Sequence, residues 1–523
     1  YYSGIYFQDD WKLTPTLTVN LGLRWDHFTP YAEINGRQAN LIQSDGGNGS
    51  TGTLYIPKKG CSVPRAASFD ALLSANKITL DCTSSLATGN AQSKNFAPRI
   101  GFANRITPLW VVRGGYGIAY GALANIGFGP NIGNNYPFAY VNSFNSVNSY
   151  TPFLDPTGNT ATFEKSLASI NVQDPAEVTP TGLQLQGRQY DFQTPYTQTF
   201  NLFTQYQFTH GDSIQVGYVG VVGRHLANLG THNATSQILP VGTNIYEHIP
   251  FPGFAPNSNY QTTNGTSSYN SMQLTYEHRL SAGLNLLANY TYSKCMTNQA
   301  FYASLDQSYR AQWLPGFGIK GDYALCDTDT TNVVHIAGQY QLPIGRSGIY
   351  LKDINRAVDA VIGGWAANYI YTFQSGNPFP IYCANPTTAN FGCYANVVPN
   401  QNLYAGGRKQ QEWLNPQALA NPPQATTIGQ ADYSPLGGSP MMARGPHFNN
   451  LDFSLFKSFT LPRETRLEFR AEAFNLTNTP QFGQPGNTGG FLNTDSNNSN
   501  GFSQITSLRN NPRLMQFALK LYY

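Results

Sequence analysis

Along much of this chain apolar and polar residues alternate one for one. In Leu17–Asp26, Leu17, Val19, Leu21, Leu23 and Trp25 alternate with Thr18, Asn20, Gly22, Arg24 and Asp26. Thr465–Leu476 puts Arg466, Glu468, Arg470 and Glu472 on one side and Leu467, Phe469, Ala471 and Ala473 on the other. In Leu284–Ser293 the apolar set is Leu284, Leu286, Ala288, Tyr290 and Tyr292, with Leu287 breaking the pattern. The last segment sets Met515, Phe517, Leu519, Leu521 and Tyr523 against Gln516 and Lys520. A period of two is the signature of a strand; a helix would scatter the same residues around its axis. About thirteen such segments begin near residues 1, 17, 95, 110, 196, 213, 269, 284, 332, 363, 451, 465 and 514. Each is near the ~9–11 residues with which a tilted strand crosses a bilayer.

The connections alternate in length. Tight links are predicted at Thr14–Thr16, Thr107–Leu109, Thr209–Asp212, Ser281–Gly283 and Pro462–Glu464, with a longer one at 345–362. Between them lie long links, such as 29–94, 122–195, 376–450 and 478–513, rich in Asn, Gly, Ser and Pro. A β-sandwich has no reason for this regularity. An antiparallel transmembrane β-barrel does, with short periplasmic turns and long extracellular loops. The expected fold is therefore all-β. Trp25, Phe28, Tyr290, Tyr292, Trp365, Tyr369 and Tyr371 are expected toward strand ends, as an interfacial girdle.

Bacterial barrels have an even strand number and both termini on the periplasmic side. If the last of thirteen strands runs inward, so does the first, which suits strands ten to twenty-two of a 22-stranded barrel. The chain opens at Tyr1 with no secretory signal pattern. Residues 1–523 are thus expected to be the C-terminal part of a barrel domain.

Composition agrees. Only 11% of residues are charged, against about 25% in typical globular proteins, and 13% are aromatic. Yet mean hydropathy is −0.33, and no run of ~18 apolar residues could form a spanning helix. Apolar and polar residues that alternate along strands average out in this way. The net charge of +3 comes without a Lys/Arg-rich stripe, so no nucleic-acid partner is expected.

Chemistry is sparse. The eight His are scattered without metal-ligand spacing, and no Gly-x-Ser-x-Gly elbow occurs. Ser74–Lys77 and Ser454–Lys457 match Ser-x-x-Lys, but the second would lie on a strand, where i and i+3 face opposite ways. Asp327 and Asp329 hint at a calcium loop without its Gly and distal Glu. No catalytic residue, cofactor or metal site is expected. Arg466, Glu468, Arg470 and Glu472 are the candidate lumen-facing charges, either a lattice of mutual salt bridges or a surface met by a passing substrate. The face assignment predicts that Phe469→Arg impairs assembly by roughly 2–4 kcal/mol near the midplane, with Glu468→Gln mild. Cys61, Cys82, Cys295, Cys326, Cys383 and Cys393 fit no metal or redox motif, and an even count suits disulfides. Six cysteines allow about fifteen connectivities. Nearest-neighbour pairing gives Cys61–Cys82, Cys295–Cys326 and Cys383–Cys393, each a staple for a long link; free thiols are the alternative.

The segment Tyr6-Phe-Gln-Asp-Asp-Trp-Lys-Leu-Thr-Pro-Thr-Leu-Thr-Val-Asn-Leu-Gly-Leu-Arg-Trp25 resembles a barrel segment of TonB-dependent receptors, particularly their Oar-like branch. Similar stretches are Asn95–Phe102, Tyr218–Leu226, Ser268–Lys294, Gln341–Arg346, Arg444–Asn450 and Phe469–Asn478. The ending Phe517-Ala-Leu-Lys-Leu-Tyr-Tyr523 resembles the terminal signal of outer-membrane proteins. Asp329–His335 departs from the family pattern, which tends to carry an Arg-His pair there. The resemblance implies a Gram-negative outer-membrane protein surrounded by lipid. It also implies an upstream signal peptide, N-terminal extension and plug, and uptake of an unidentified large or scarce substrate powered by the TonB complex acting on that plug. A barrel working in adhesion or surface signalling through its loops is the alternative.

Overall fold

The computed structural model describes residues 2–30, 32–44, 50–89, 92–121, 131–140, 153–154, 160–161, 175–176, 182–281, 283–298, 322–438, 441–462, 465–486 and 501–523. Thirteen long strands run in chain order through one antiparallel sheet. They are β1 (Tyr2–Lys12), β2 (Leu17–Phe28), β3 (Asn95–Thr107), β4 (Trp110–Tyr120), β5 (Tyr196–Gln207), β6 (Asp212–His232) and β7 (Ser258–Ser281). There follow β8 (Leu284–Thr297), β9 (Asn332–Gln341), β10 (Trp365–Gln374), β11 (Phe448–Thr460), β12 (Arg466–Phe474) and β13 (Leu514–Tyr522). Each pairs with the next; among the described residues β1 pairs only with β2, and β13 only with β12. Two short strands join the margin, Gly187–Arg188 beside β7 and Ala324–Leu325 beside β8. No described helix is long and apolar enough to cross a membrane.

Registers carry the same two faces across the whole sheet. Leu21 lies opposite Ile100, Ile100 opposite Tyr116, Tyr116 opposite Phe200 and Phe200 opposite Gly220. Further on, Ala288 lies opposite Ile336, Ile336 opposite Tyr371 and Tyr371 opposite Leu451. Phe469 stands between Lys457 and Leu519. Cross-strand neighbours share a face, so these pairs define one apolar face. The alternate positions, from Arg24 through Asn201, Gln273 and His335 to Glu468, define a polar one. A slip of one residue in any pair would exchange the faces, so the pattern of the sequence fixes the register.

The strand starts match the alternation closely, with one large exception. β7 begins at Ser258, not near 269, and β6 continues to His232. Above Gly223 this pair is irregular, with register shifts between Gly223 and Asn228. The alternation fades there because Asn228, Thr231 and His232 are buried in loop structure and face no apolar medium. Of the aromatic residues expected toward strand ends, Phe28 and Trp365 are terminal and Trp25 and Tyr371 lie three residues from the ends of β2 and β10, whereas Tyr290, Tyr292 and Tyr369 stand within their strands. Phe28 also belongs to the polar face, stacked on its partner Tyr2 at 4.9 Å.

Short links occupy one end of the sheet and long links the other. The short links at 281–283 and 462–464 include Ala282, Arg463 and Glu464, which lie outside the described residues. The 342–364 link holds an unforeseen helix, α2 (Arg356–Ile362), capped by Asn355, whose side chain accepts a hydrogen bond from Val358 N at 2.8 Å. At the other end the long links fold. Residues 40–81 make a three-stranded sheet (Asn40–Gln43, Gly52–Tyr55, Ile78–Asp81) and the helix α1 (Ala67–Ala75). Their core of Leu41, Leu54, Ile56 and Phe69 is completed by Tyr136, Leu185, Phe251 and Phe254 from two other links. A second core joins Phe379, Ile381, Trp413 and Leu414 to Phe502 and Ile505, and a third joins Ile238 to Ala425 and Leu436.

Candidate functional site

Two polar constructions are candidates for function, the charged ladder on the sheet and the folded layer over its long-link end. Same-face residues two apart on a strand lie within side-chain reach, and the middle charge can therefore bridge its neighbours. Arg470 does so. Its Nη2 donates to Glu468 at 2.8 Å and its Nη1 meets Glu472 at 3.5 Å, while its guanidinium covers the Phe456 ring at 5.6 Å. Gln516 from β13 donates to Glu472. Arg466 departs from a mutual lattice: among the described residues it makes no ion pair and lies over the Tyr522 ring at 4.4 Å. Arg466 is the first residue of β12, so only one ladder neighbour on its strand flanks it, and Arg470 already occupies that neighbour, Glu468.

The same polar face carries a second cluster that the sequence reading did not single out. Arg24 Nε donates to Asp26 at 2.7 Å, Tyr2 Oη donates to the same carboxylate at 2.7 Å, and Arg24 also bonds the Tyr2 hydroxyl. The detectable signal was the i, i+2 charge pair within an alternating segment, the same pattern that marks Arg470 and Glu472.

Three disulfides form, Cys61–Cys82, Cys295–Cys326 and Cys383–Cys393, each between neighbours in sequence. The first closes the 29–94 link and the third the 376–447 link. Cys295 lies on β8 itself, so the second bridge ties the strand to the link that follows it. Beside that bridge Asp329 is engaged by protein donors. Its carboxylate accepts from Cys295 N at 2.6 Å and from Arg444 Nη2 at 2.5 Å, and its side chain is 1% exposed. Arg444 Nη1 further donates to Gly376 O at 3.0 Å. A guanidinium therefore stands where the two aspartates hinted at a cation. Burial pushes the neighbouring Asp327 carboxyl up, partly offset by backbone hydrogen bonds.

The layer over the long-link end is knit across links by more than apolar cores. Asn390 Nδ2 donates to Gln237 O at 2.8 Å, Leu239 N donates to Asn390 Oδ1 at 3.3 Å, and Ala389 N donates to Leu239 O at 3.0 Å. Asn40 spans the first unit, donating to Ala87 O and Arg188 O at 2.9 and 3.0 Å. On the hairpin Tyr404–Lys409/Glu412–Leu414, Arg408 lies 4.2 Å over the Tyr404 ring and 5.8 Å from that of Trp413. Such contacts hold a cation at a fixed place on the surface.

A family model described as outer membrane beta barrel domain matches residues 1–516. No curated protein matches the chain. Among solved structures the chain is similar to the ferric citrate transporter FecA in its unliganded form, at 10% identity and a TM-score of 0.39, covering 100% of this chain and 45% of that one. It is similar to the ferric-catecholate import receptor Fiu from E. coli K12, at 10% identity and a TM-score of 0.39, covering 99% and 44%. For the ferripyoverdine receptor of the outer membrane of Pseudomonas aeruginosa the values are 8% and 0.41, covering 100% and 38%. The chain spans less than half the length of each of these three.

Proposed function

Because the chain belongs to the outer membrane beta barrel domain family, we propose that it forms the C-terminal part of a TonB-dependent receptor barrel that takes up a large or scarce substrate. It resides in the outer membrane, with the apolar face of its sheet toward lipid and the polar face toward a lumen. The observation that carries the proposal is the pairing of that charged face with a folded layer above it. A passive pore needs a hydrated lumen. A receptor also needs a preorganised outer surface, and three shared cores with three disulfides supply one.

The two edges of the sheet support a larger barrel. β1 and β13 each have one neighbour among the described residues, and an unpaired strand edge within hydrocarbon is costly because its backbone groups find no partners. Further strands and a plug from upstream sequence would close the wall and fill the lumen. The plug would then contact the ladder around Arg470 and the cluster around Arg24, and the TonB complex would act on the plug. The substrate would first meet the loop layer.

The test uses native protein extracted from outer membrane in detergent. Peptide mapping should find a plug and a TonB-contacting box upstream of Tyr1, and the protein should be retained by an immobilised TonB periplasmic domain. A protein whose mapped sequence lacks both and which fails to bind TonB overturns the proposal. The extensive folded layer would then favour adhesion or surface signalling.

A further inference from the structure

Among the lysines on the apolar face, Lys457 is buried, which the pattern does not explain. Lys457 lies on β11 between Trp365 and Phe469, three residues from the strand end at Thr460, so it is near the periplasmic rim and faces lipid. It is nevertheless 5% exposed. The covering element is the 342–364 link. Lys457 Nζ donates to Asp359 O at 3.1 Å and Ala360 O at 2.8 Å, and also to Gly363 O, so the ammonium occupies the C-terminal carbonyl end of α2. Cations are favoured there because those carbonyls lack intrahelical partners and the helix dipole is negative. Trp365 Nε1 adds a bond to Val361 O at 2.8 Å. The link therefore does not hang into the periplasm; it is fastened against the outer, lipid-facing side of the wall.

What the fastened link shows to its surroundings is apolar. Val358, Val361 and Ile362 follow the i, i+3, i+4 spacing of one helical face and are all exposed, Val361 at 67%. The preceding turn exposes Ile349 at 65%, with Tyr350 and Leu351 beside it. Such a cluster in water would be unfavourable by the ordinary measure of apolar area, and contiguous exposed patches mark interaction surfaces. It adjoins Trp365 and Phe469, which belong to the lipid-facing belt, and Lys352 and Arg356 flank it in sequence.

We propose that the 342–364 link is a membrane-interface foot that inserts Ile349, Leu351, Val358, Val361 and Ile362 into the phospholipid leaflet facing the periplasm. Lys457 is the positioning residue, holding the foot by its helix C-terminus, and Lys352 and Arg356 stand where lipid phosphates lie. The occupant is lipid because the patch is continuous with the lipid-facing belt and sits at the depth of its periplasmic edge. The foot depends on residence in the outer membrane and not on transport, so failure of the receptor reading would leave it intact.

The experiment places an environment-sensitive bimane label on Ile349→Cys and on Val361→Cys in the full chain, reconstituted in phosphatidylethanolamine–phosphatidylglycerol vesicles. Lys409→Cys on the extracellular hairpin is the aqueous control. Both positions are highly exposed, so heat-modifiable mobility should be retained; two sites ensure that one remains to decide if the other misassembles. Acyl-chain-brominated lipid should quench the labels at 349 and 361 at least twofold and leave the one at 409 unchanged, with soluble iodide giving the reverse order. The proposal is overturned if either label in an assembled protein follows the iodide-quenched pattern of position 409, the result expected for a foot in water or docked on a periplasmic protein.

Discussion

The two faces of β13 can be tested by one substitution at adjacent positions. Phe517 lies opposite Ala471 on the apolar face, and Gln516 lies opposite Glu472 on the polar face. Ala471 is five residues into β12 from Arg466, at ~3.4 Å per residue and a tilt of ~40°, which puts Phe517 about 13 Å above the rim. That is half the height of a ~25 Å apolar band, where a lipid-facing Arg costs roughly 2–4 kcal/mol. Phe517→Arg should therefore lower the folding equilibrium by roughly 30- to 700-fold at about 1.4 kcal/mol per decade. Phe469, only three residues from Arg466, lies about 8 Å above the rim by the same geometry, so Phe469→Arg should cost less than the midplane figure. Gln516→Arg should be neutral or mildly stabilising, because Glu472 accepts its charge. Urea titration of the heat-modifiable band in lipid vesicles measures all three. Equal destabilisation at 516 and 517, or greater tolerance at 517, would refute the face assignment and the register on which it stands.

Arg444→Met would leave the Asp329 carboxylate buried without a countercharge, held by the Cys295 amide and by the Thr331 hydroxyl at 3.5 Å; about 3 kcal/mol of loop stability should be lost, read as faster proteolysis within 376–447 with the barrel band unchanged. Reducing Cys61–Cys82, which closes a separation of 21 residues, should cost the 29–94 unit about 3 kcal/mol; proteolysis there should accelerate while heat-modifiable mobility persists. The raised Asp327 carboxyl stabilises its link fully below the ordinary Asp range, and that contribution is lost as pH rises through the folded value. Asp327→Asn should flatten the pH dependence of protease resistance in the 322–331 segment; an unchanged profile would assign that dependence to another group.

The spanning strands were legible because each residue there faces one of two unlike media, so position and chemistry are locked at a period of two. The extracellular cores were not. Phe69, Tyr136 and Phe254 meet from three separate links, and no local period records that meeting. Disulfides lay between the two cases: sequence proximity favoured the pairs that form, but the position of Cys295 on a strand was missed because β8 runs past its alternating part. The ladder at 466–472 could be read as charges on one face, while the withdrawal of Arg466 to Tyr522 depends on a strand 56 positions away. α2 was hidden for a simpler reason. A seven-residue helix gives too few turns for a period to declare itself.

The shared core beneath the loops also constrains how this surface can change over time. Loops of a barrel are usually pictured as separate fingers, each free to lengthen, shorten or be exchanged. Here Phe251 and Phe254 from one link fill the interior of a unit built by residues 39–78 of another, and Ile238 of the first also seals against Ala425 and Leu436 of a third. A graft that moved residues 29–94 alone into another scaffold would carry an open socket, and a deletion in 233–257 would damage two distant neighbours at once. Diversity at this surface is therefore expected to accumulate at the rims, in positions such as the 408–411 turn, while the interlocked segments are inherited together.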